Sequence, residues 1–199
     1  MIIIGLTGGI ATGKSKAAAY LESLGAMHID ADDISRTLTA SDVKTLALIR
    51  ERFGDDVFSP DGTLNRKKMG DIVFRDEEKR KTLESIIHPT VIRKIKEEIS
   101  SAKSKGIETV ILNVPLLFES GLDSLCDEIW TMEAPFEVQV ERIMDRGFTR
   151  TQAIERIRSQ MSAKDRKARS HRVIDTDRPI EQTRRELGEI YTQICGETK

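Results

Sequence analysis

The chain has only two cysteines, Cys126 and Cys195, far apart and in no paired spacing. That excludes a disulfide framework and a cysteine-based zinc site, and a reducing cytoplasm is the compartment such usage fits best. Long apolar runs are also missing. The stretch Ile2-Ile3-Ile4-Gly5-Leu6 is too short to span a bilayer, follows no basic segment and leads straight into a glycine-rich loop, so it reads as a strand and not as a signal peptide. Excess charge of either sign is absent too: 32 Lys and Arg face 33 Asp and Glu. No global field therefore draws in nucleic acid or an anionic membrane, and anion recognition must come from local clustering. Without repeats, linkers or low-complexity tracts, the 199 residues read as one domain with small inserted subdomains.

What is present is a phosphate-binding motif in its required setting. Gly8, Gly9, Ile10, Ala11, Thr12, Gly13, Lys14 and Ser15 spell G-x-x-x-x-G-K-S directly behind the apolar strand. Glycines let successive backbone amides turn inward around an anion, where a side chain would block the turn or the approach. Lys14 supplies a mobile cation for the outer phosphates and Ser15 a hydroxyl for Mg2+. A helix opening near Gly13 adds the positive end of its dipole. The spacing predicts binding of a nucleoside triphosphate.

Strands are expected at Met27 to Ile29 ending in Asp30, at Thr109 to Val114, at Glu128 to Met132 and at Val173-Ile174. Helical stretches separate them, which implies right-handed crossovers and a parallel sheet covered on both faces, with ligands at the strands' carboxyl ends. A helix from Lys16 to Leu24 lies behind the loop and closes at Gly25. The eighty or so residues between Asp30 and Thr109 are too many for a simple crossover and should form a helical insertion. In it Ser41 caps one helix that Gly54 ends, Pro60-Asp61-Gly62 turns, Asn65 caps another, and Pro89 kinks or restarts a long third helix. Residues 135–172 read as three short helices with an excess of arginine, including Arg142, Arg146 and Arg166, and a last helix runs from Pro179.

His28-Ile29-Asp30-Ala31-Asp32-Asp33 places acids just past the second strand. A phosphoryl acceptor needs a carboxylate to orient its hydroxyl and take its proton, and Mg2+ needs oxygen ligands or ordered waters. On an extended segment Asp30 and Asp32 face one side, while Asp33 caps a helix from Ile34 to Leu38. The strand at Thr109 ends in Asn113 and lacks the acid that commonly follows such a strand, so Asp32 is the candidate to assist Ser15. Leu116, Leu117 and Phe118 either wall an acceptor pocket with Glu119 at its rim or cap the core. The arginine-rich helices suit a lid that closes over the transferring phosphate, with Arg142 and Arg146 on one face. His88 is a helix-break residue or a substrate contact; His28 and His171 are structural.

Leu6-Thr7-Gly8-Gly9-Ile10 before Gly13-Lys14-Ser15, then Ile29-Asp30-Ala31-Asp32, Asp61-Gly62-Thr63-Leu64, His88-Pro89, Val114-Pro115-Leu116-Leu117-Phe118-Glu119, Gln160 with Arg166, and Val173-Ile174-Asp175 follow in one order. In that order the chain resembles the bacterial dephospho-CoA kinases, over essentially its whole length. The resemblance implies an α/β P-loop NTPase three-layer fold: a five-stranded parallel sheet with a helical substrate-binding insertion and a helical lid. Core segments 1–31, 105–134 and 172–199, a CoA-binding insertion 32–104 and a lid 135–171 would form a single kinase domain. It implies ATP and Mg2+ as cofactors, and ATP and dephospho-CoA as small-molecule partners, with neither nucleic acid nor membrane, in a monomer or weak homo-oligomer. Asp32 is then the base, with Lys14 and Arg142 catalytic. The nucleotide is held by Gly9, Ile10, Ala11, Thr12, Gly13, Lys14, Ser15, Lys16 and Arg146. Acceptor contacts fall to Asp32, His88, Pro115, Leu116, Leu117, Phe118 and Glu119, and the metal to Ser15 and Asp32. Three places depart from the family pattern: Lys16 stands where Thr is usual, Ser170-His171 where Ala-Asp is common, and Thr176-Asp177 in place of an Asn-rich turn. A guanine-reading N-K-x-D signature, which a GTP-dependent switch would carry, does not occur.

Overall fold

The computed structural model describes residues 1–197. Strands β1 (Ile2–Gly8), β2 (Met27–Asp30), β3 (Thr109–Asn113), β4 (Glu128–Glu133) and β5 (Arg172–Asp175) form one all-parallel sheet in the order β2-β3-β1-β4-β5. The register pairs Leu6 with Asn113 and Gly8 with Met132, so β1 delivers its chain to the middle of the sheet's carboxyl edge. Every residue of β3 is buried, as befits an inner strand covered on both faces. Helices α1 (Lys14–Ser23) and α9 (Ile180–Glu197) pack on one face, where Ala17, Leu21, Leu187 and Tyr191 join Ile4, Leu6, Ile111 and Trp130 in the main apolar cluster. Trp130 is fully buried, and its indole N–H is satisfied by Glu128 Oε2 at 2.9 Å.

The chain divides into two compact units, one of Met1–Asp30 with the chain from Ile99 onward, the other Ala31–Glu98. The second unit is helical: α2 (Ala31–Ser41), α3 (Val43–Phe53), α4 (Arg66–Arg75) and most of α5 (Glu77–Ser104). Its core gathers Ile49, Val57 and Met69. Gly54 ends α3 with φ 80° and Asn65 caps α4 through the Lys68 amide at 3.0 Å, both as expected. Three other expectations are corrected. The cap of α3 is Asp42, whose carboxylate accepts from the Thr45 amide at 2.8 Å and its hydroxyl at 2.6 Å, bonds that hold its pKa below the ordinary value. Ser41 instead ends α2 and donates back to Thr37 O. Helix α2 starts at Ala31, so Asp33 lies within its first turn and is no cap; two acids there favour the helix dipole and let the helix begin early. Finally, α5 runs unbroken through Pro89, so the helix does not restart there. Ser85, whose carbonyl loses its amide partner, and Pro89 both face solvent, which satisfies the freed oxygen.

In the first unit α6 (Phe136–Met144), α7 (Arg150–Arg158) and α8 (Ala163–Ala168) are the three short helices expected between β4 and β5. Thr149 and Gln152 form the anticipated capping box on α7. Cys126 lies under β1, where a Cβ on Gly5 would meet its sulfur at 2.6 Å. Burial, reinforced by the Asp123 and Asp127 carboxylates, pushes its thiol up to about 12. At pH 8 its thiolate fraction is therefore about one in ten thousand. Iodoacetamide at that pH is expected to leave Cys126 unmodified in the folded protein and to alkylate it in denaturant. Mass spectrometry of tryptic peptides reads the outcome, and rapid native labelling would contradict this packing.

Candidate active site

The loop from Gly8 to Gly13 needs its small residues for separate reasons. Gly8 has φ 150°, and a Cβ there would lie 2.4 Å from the Met132 carbonyl. At Gly9 a Cβ would lie 2.8 Å from Gln139 Oε1 and 3.2 Å from Arg166 Nη2. Gly13 at φ 85° caps α1, and Ala11 takes the left-handed region at φ 62° despite its methyl group. Thr12 locks the turn by donating its hydroxyl to Gly9 O at 2.8 Å. The helix's own bonds open with Lys16 and Ala17 onto the Gly13 carbonyl, at 3.0 and 3.2 Å, so the positive end of α1 faces the loop. Such alternation of hand makes a concave, anion-accepting backbone.

The arginine-rich region grips this loop. Gln160, between α7 and α8, accepts the Ile10 amide at 2.8 Å. Arg142 on α6 donates to Ala11 O at 3.2 Å, and to the Thr176 hydroxyl and carbonyl at 3.2 and 2.7 Å. Thr176 in turn donates to Glu133 O at 3.0 Å, tying the ends of β4 and β5 together. Beneath Gly9, Arg166 is buried and binds Glu133 Oε1 through Nε and Nη2 at 2.9 and 2.7 Å. A cleft of about 360 Å³ opens beside Ala11 and Gly13, lined by Lys16, Arg142, Arg146, Thr176, Arg178 and Arg184 among others. Five cations against one lining carboxylate, Asp145, leave the cleft positive even with Arg178 paired to Glu186, which suits a polyanion. A larger cleft of about 770 Å³ lies between the helices α6, α7 and α8 and the ends of β4 and β5.

The structure thus brings the loop, Lys16, Arg142 and Arg146 to one place and puts Ser15, exposed, in the first turn of α1. Asp32, exposed at the second position of α2, and His88, exposed on α5, belong to the other compact unit. Because α2 starts at Ala31, the expected extended alternation of Asp30 and Asp32 does not exist; Asp30 ends β2 and Asp32 is helical. The segment after β3 splits: Leu116 is exposed, while Leu117 is wholly buried beneath Gly5 and Phe118 is buried under the Arg169 guanidinium at 4.3 Å. Glu119 accepts from the Met161 amide at 3.4 Å, and Thr7 Oγ1 reaches Pro115 O at 3.5 Å. His171 is structural as expected, accepting the Ile129 amide on Nδ1 at 3.0 Å. Glu133, Gln139 and Thr176 were not foreseen. An acid ending an apolar strand, ahead of a basic lid, was the available signal for Glu133.

This architecture recurs in known kinases. The family model for dephospho-CoA kinases matches residues 2–182. The chain belongs to the dephospho-CoA kinase family. A dephospho-CoA kinase of Carboxydothermus hydrogenoformans is 42% identical over 186 residues, covering 93% of this chain and 90% of that one. Among solved structures, the dephospho-CoA kinase from Campylobacter jejuni superposes with a TM-score of 0.75 at 25% identity, over 99% and 98% of the two chains. A Thermus thermophilus crystal structure gives 0.79 at 33% identity, over 96% and 97%. Shikimate kinase from Acinetobacter baumannii, at 18% identity and a TM-score of 0.55, shares the fold alone. As a dephospho-CoA kinase family member the chain keeps the phosphate loop's glycines, and its Thr176 serves as the anchor of Arg142.

Proposed function

We propose that this chain transfers the γ-phosphoryl group of ATP to the ribose 3'-hydroxyl of dephospho-CoA, giving CoA and ADP. The observation that carries it is the family relationship over residues 2–182, joined to a cation-lined cleft at a glycine-rich loop. Lys14 and the loop amides hold the outer phosphates; Lys16 and Arg146 stand beside them. Asp32 orients the acceptor hydroxyl and takes its proton as the ribose oxygen attacks the γ-phosphorus. The β,γ-bridging oxygen departs with ADP. Arg142 meets charge on the transferring group from the lid, and the helical insertion, His88 and the Pro115–Glu119 segment contact the CoA portion.

Mg2+ fits the oxygen donors of the phosphate-loop unit: the Ser15 hydroxyl at a helix start and a buried amide oxygen with no protein partner, Asn113 Oδ1. When bound, the ion neutralises phosphate oxygens. Ser15 and Asp32 would hold it.

Turnover with ATP is the test, following ADP release and product mass with dephospho-CoA, AMP, CMP or shikimate as acceptor. Phosphorylation of dephospho-CoA at a kcat/KM at least about a hundredfold above the others is the expected result, as a site built to pair one acceptor's polar groups gives. Preference for a nucleoside monophosphate would instead place the chain with the nucleotide kinases.

A further inference from the structure

Asn113 is an unusual residue to end the fully buried strand β3, next to the phosphate-loop strand. It is only 5% exposed, and it lies where an acid commonly assists the metal. Its amide is fixed by one partner: Nδ2 donates to Asp30 Oδ2 at 2.6 Å. A carboxylate offers no hydrogen to an amide oxygen, so the NH2 end must face β2 and Oδ1 must turn away from it. That oxygen is buried and has no hydrogen-bond partner. A buried acceptor left unmade is costly; among the described residues His28 Nε2 and Gln139 Oε1 share this condition, and of the three only Asn113 ends the strand beside the phosphate-loop strand.

The surroundings say what it faces. Side chains alternate along a strand, so Asn113 shares the face of Ile111, and Ile111 packs in the cluster containing Ala17, Ala18 and Leu21 of α1. Helix α1 runs antiparallel to the sheet, so one step beyond Ile111 toward the strand's carboxyl end leads to the first turn of α1, which carries Ser15. On the side away from β2 lies β1, whose Leu6 pairs with Asn113 and whose chain runs into the phosphate loop. A neutral acceptor at this place suits a hydrogen-bond donor that a cation holds.

We infer that Asn113 is a positioning residue for the divalent ion: its Oδ1 accepts from a water on the Mg2+ that Ser15 binds, and Asp30 aims it by holding the amide's other end. This inference rests on the kinase reading. In it, charge neutrality at Asn113 is the reason Asp30 can sit beside it without like-charge repulsion.

The test uses Mn2+ as probe, titrated by electron paramagnetic resonance into the full chain with the ATP analogue AMP-PNP. Asn113→Ala is expected to raise the Mn2+ dissociation constant about tenfold, the lower range for losing an outer partner of a metal. AMP-PNP affinity without metal should stay unchanged, and Asn113→Leu, which keeps the volume of the amide but has no acceptor, should weaken Mn2+ binding as Asn113→Ala does. Unchanged Mn2+ affinity in folded Asn113→Ala overturns the inference. So does equal weakening of metal-free AMP-PNP, which would mark a merely structural role. Should Asn113→Ala fail to fold, Asn113→Leu decides alone: Mn2+ affinity equal to the parent's in that folded variant overturns it. Failure of the parent to phosphorylate dephospho-CoA would sink the kinase reading instead, independently of any Mn2+ result.

Discussion

Asp32→Asn is expected to lower kcat with dephospho-CoA by roughly 10²–10⁴-fold, the range a positioned general base supplies. The amide keeps the volume and polar shape of the carboxylate but cannot accept the ribose proton. Fold stability should hardly move, since Asp32 is exposed and its favourable place in the first turn of α2 contributes only about 0.3–1 kcal/mol. Asp33→Asn is the control: it occupies the next position of the same turn, is also exposed and pairs with Arg36 at 3.0 Å. Steady-state kinetics on both variants, with ATP affinity measured without metal, separate the roles. A loss confined to Asp32→Asn, with metal-free ATP affinity and Mn2+ affinity both retained, identifies the base. Near-normal kcat in Asp32→Asn removes it from the chemistry.

The phosphate loop was legible in the sequence because its chemistry dictates both residue type and spacing, and the strand before it and helix after it are local. The strands were legible for the same kind of reason, as short β-rich runs. The extended geometry expected for Asp30 and Asp32 failed: an acidic first turn favours helix as much as it marks an extended corner, and α2 took the earlier start. Asp42 was overlooked as a cap because Ser41 and Asp42 are both good caps, and only the Thr45 amide and hydroxyl together decide between them. Pro89 did not break its helix because the position opposite its ring faces water. The deepest misses are pairings across the chain. Gln160 meets Ile10 across 150 residues, and Glu133 meets Arg166 across 33. Periodicity along a segment cannot report a contact made only when the lid region and the loop have folded together.

That last pair carries the largest expected effect on stability. Glu133 and Arg166 have side chains 6% and 7% exposed, with two hydrogen bonds between them, and Arg166 also donates to Met161 O at 2.8 Å. Arg166→Met leaves a carboxylate buried without a cation, a change that costs about 3–5 kcal/mol. For a chain of this size each kcal/mol moves Tm by about 2–4 °C, so thermal unfolding should shift down by roughly 10 °C. The double variant Glu133→Leu with Arg166→Met removes both charges and should regain most of that loss, since an apolar pair of similar volume commonly replaces a buried ion pair without penalty. Nucleotide binding should not recover with it. Arg166 Nη2 lies 3.2 Å from where a Cβ on Gly9 would sit, so the guanidinium underlies the phosphate loop as well as neutralising Glu133. Stability restored with ATP affinity still low would separate the pair's support of the loop from its contribution to the core. A double variant no more stable than Arg166→Met would show that packing around the guanidinium, and not its charge, is what holds α8 against the end of β4.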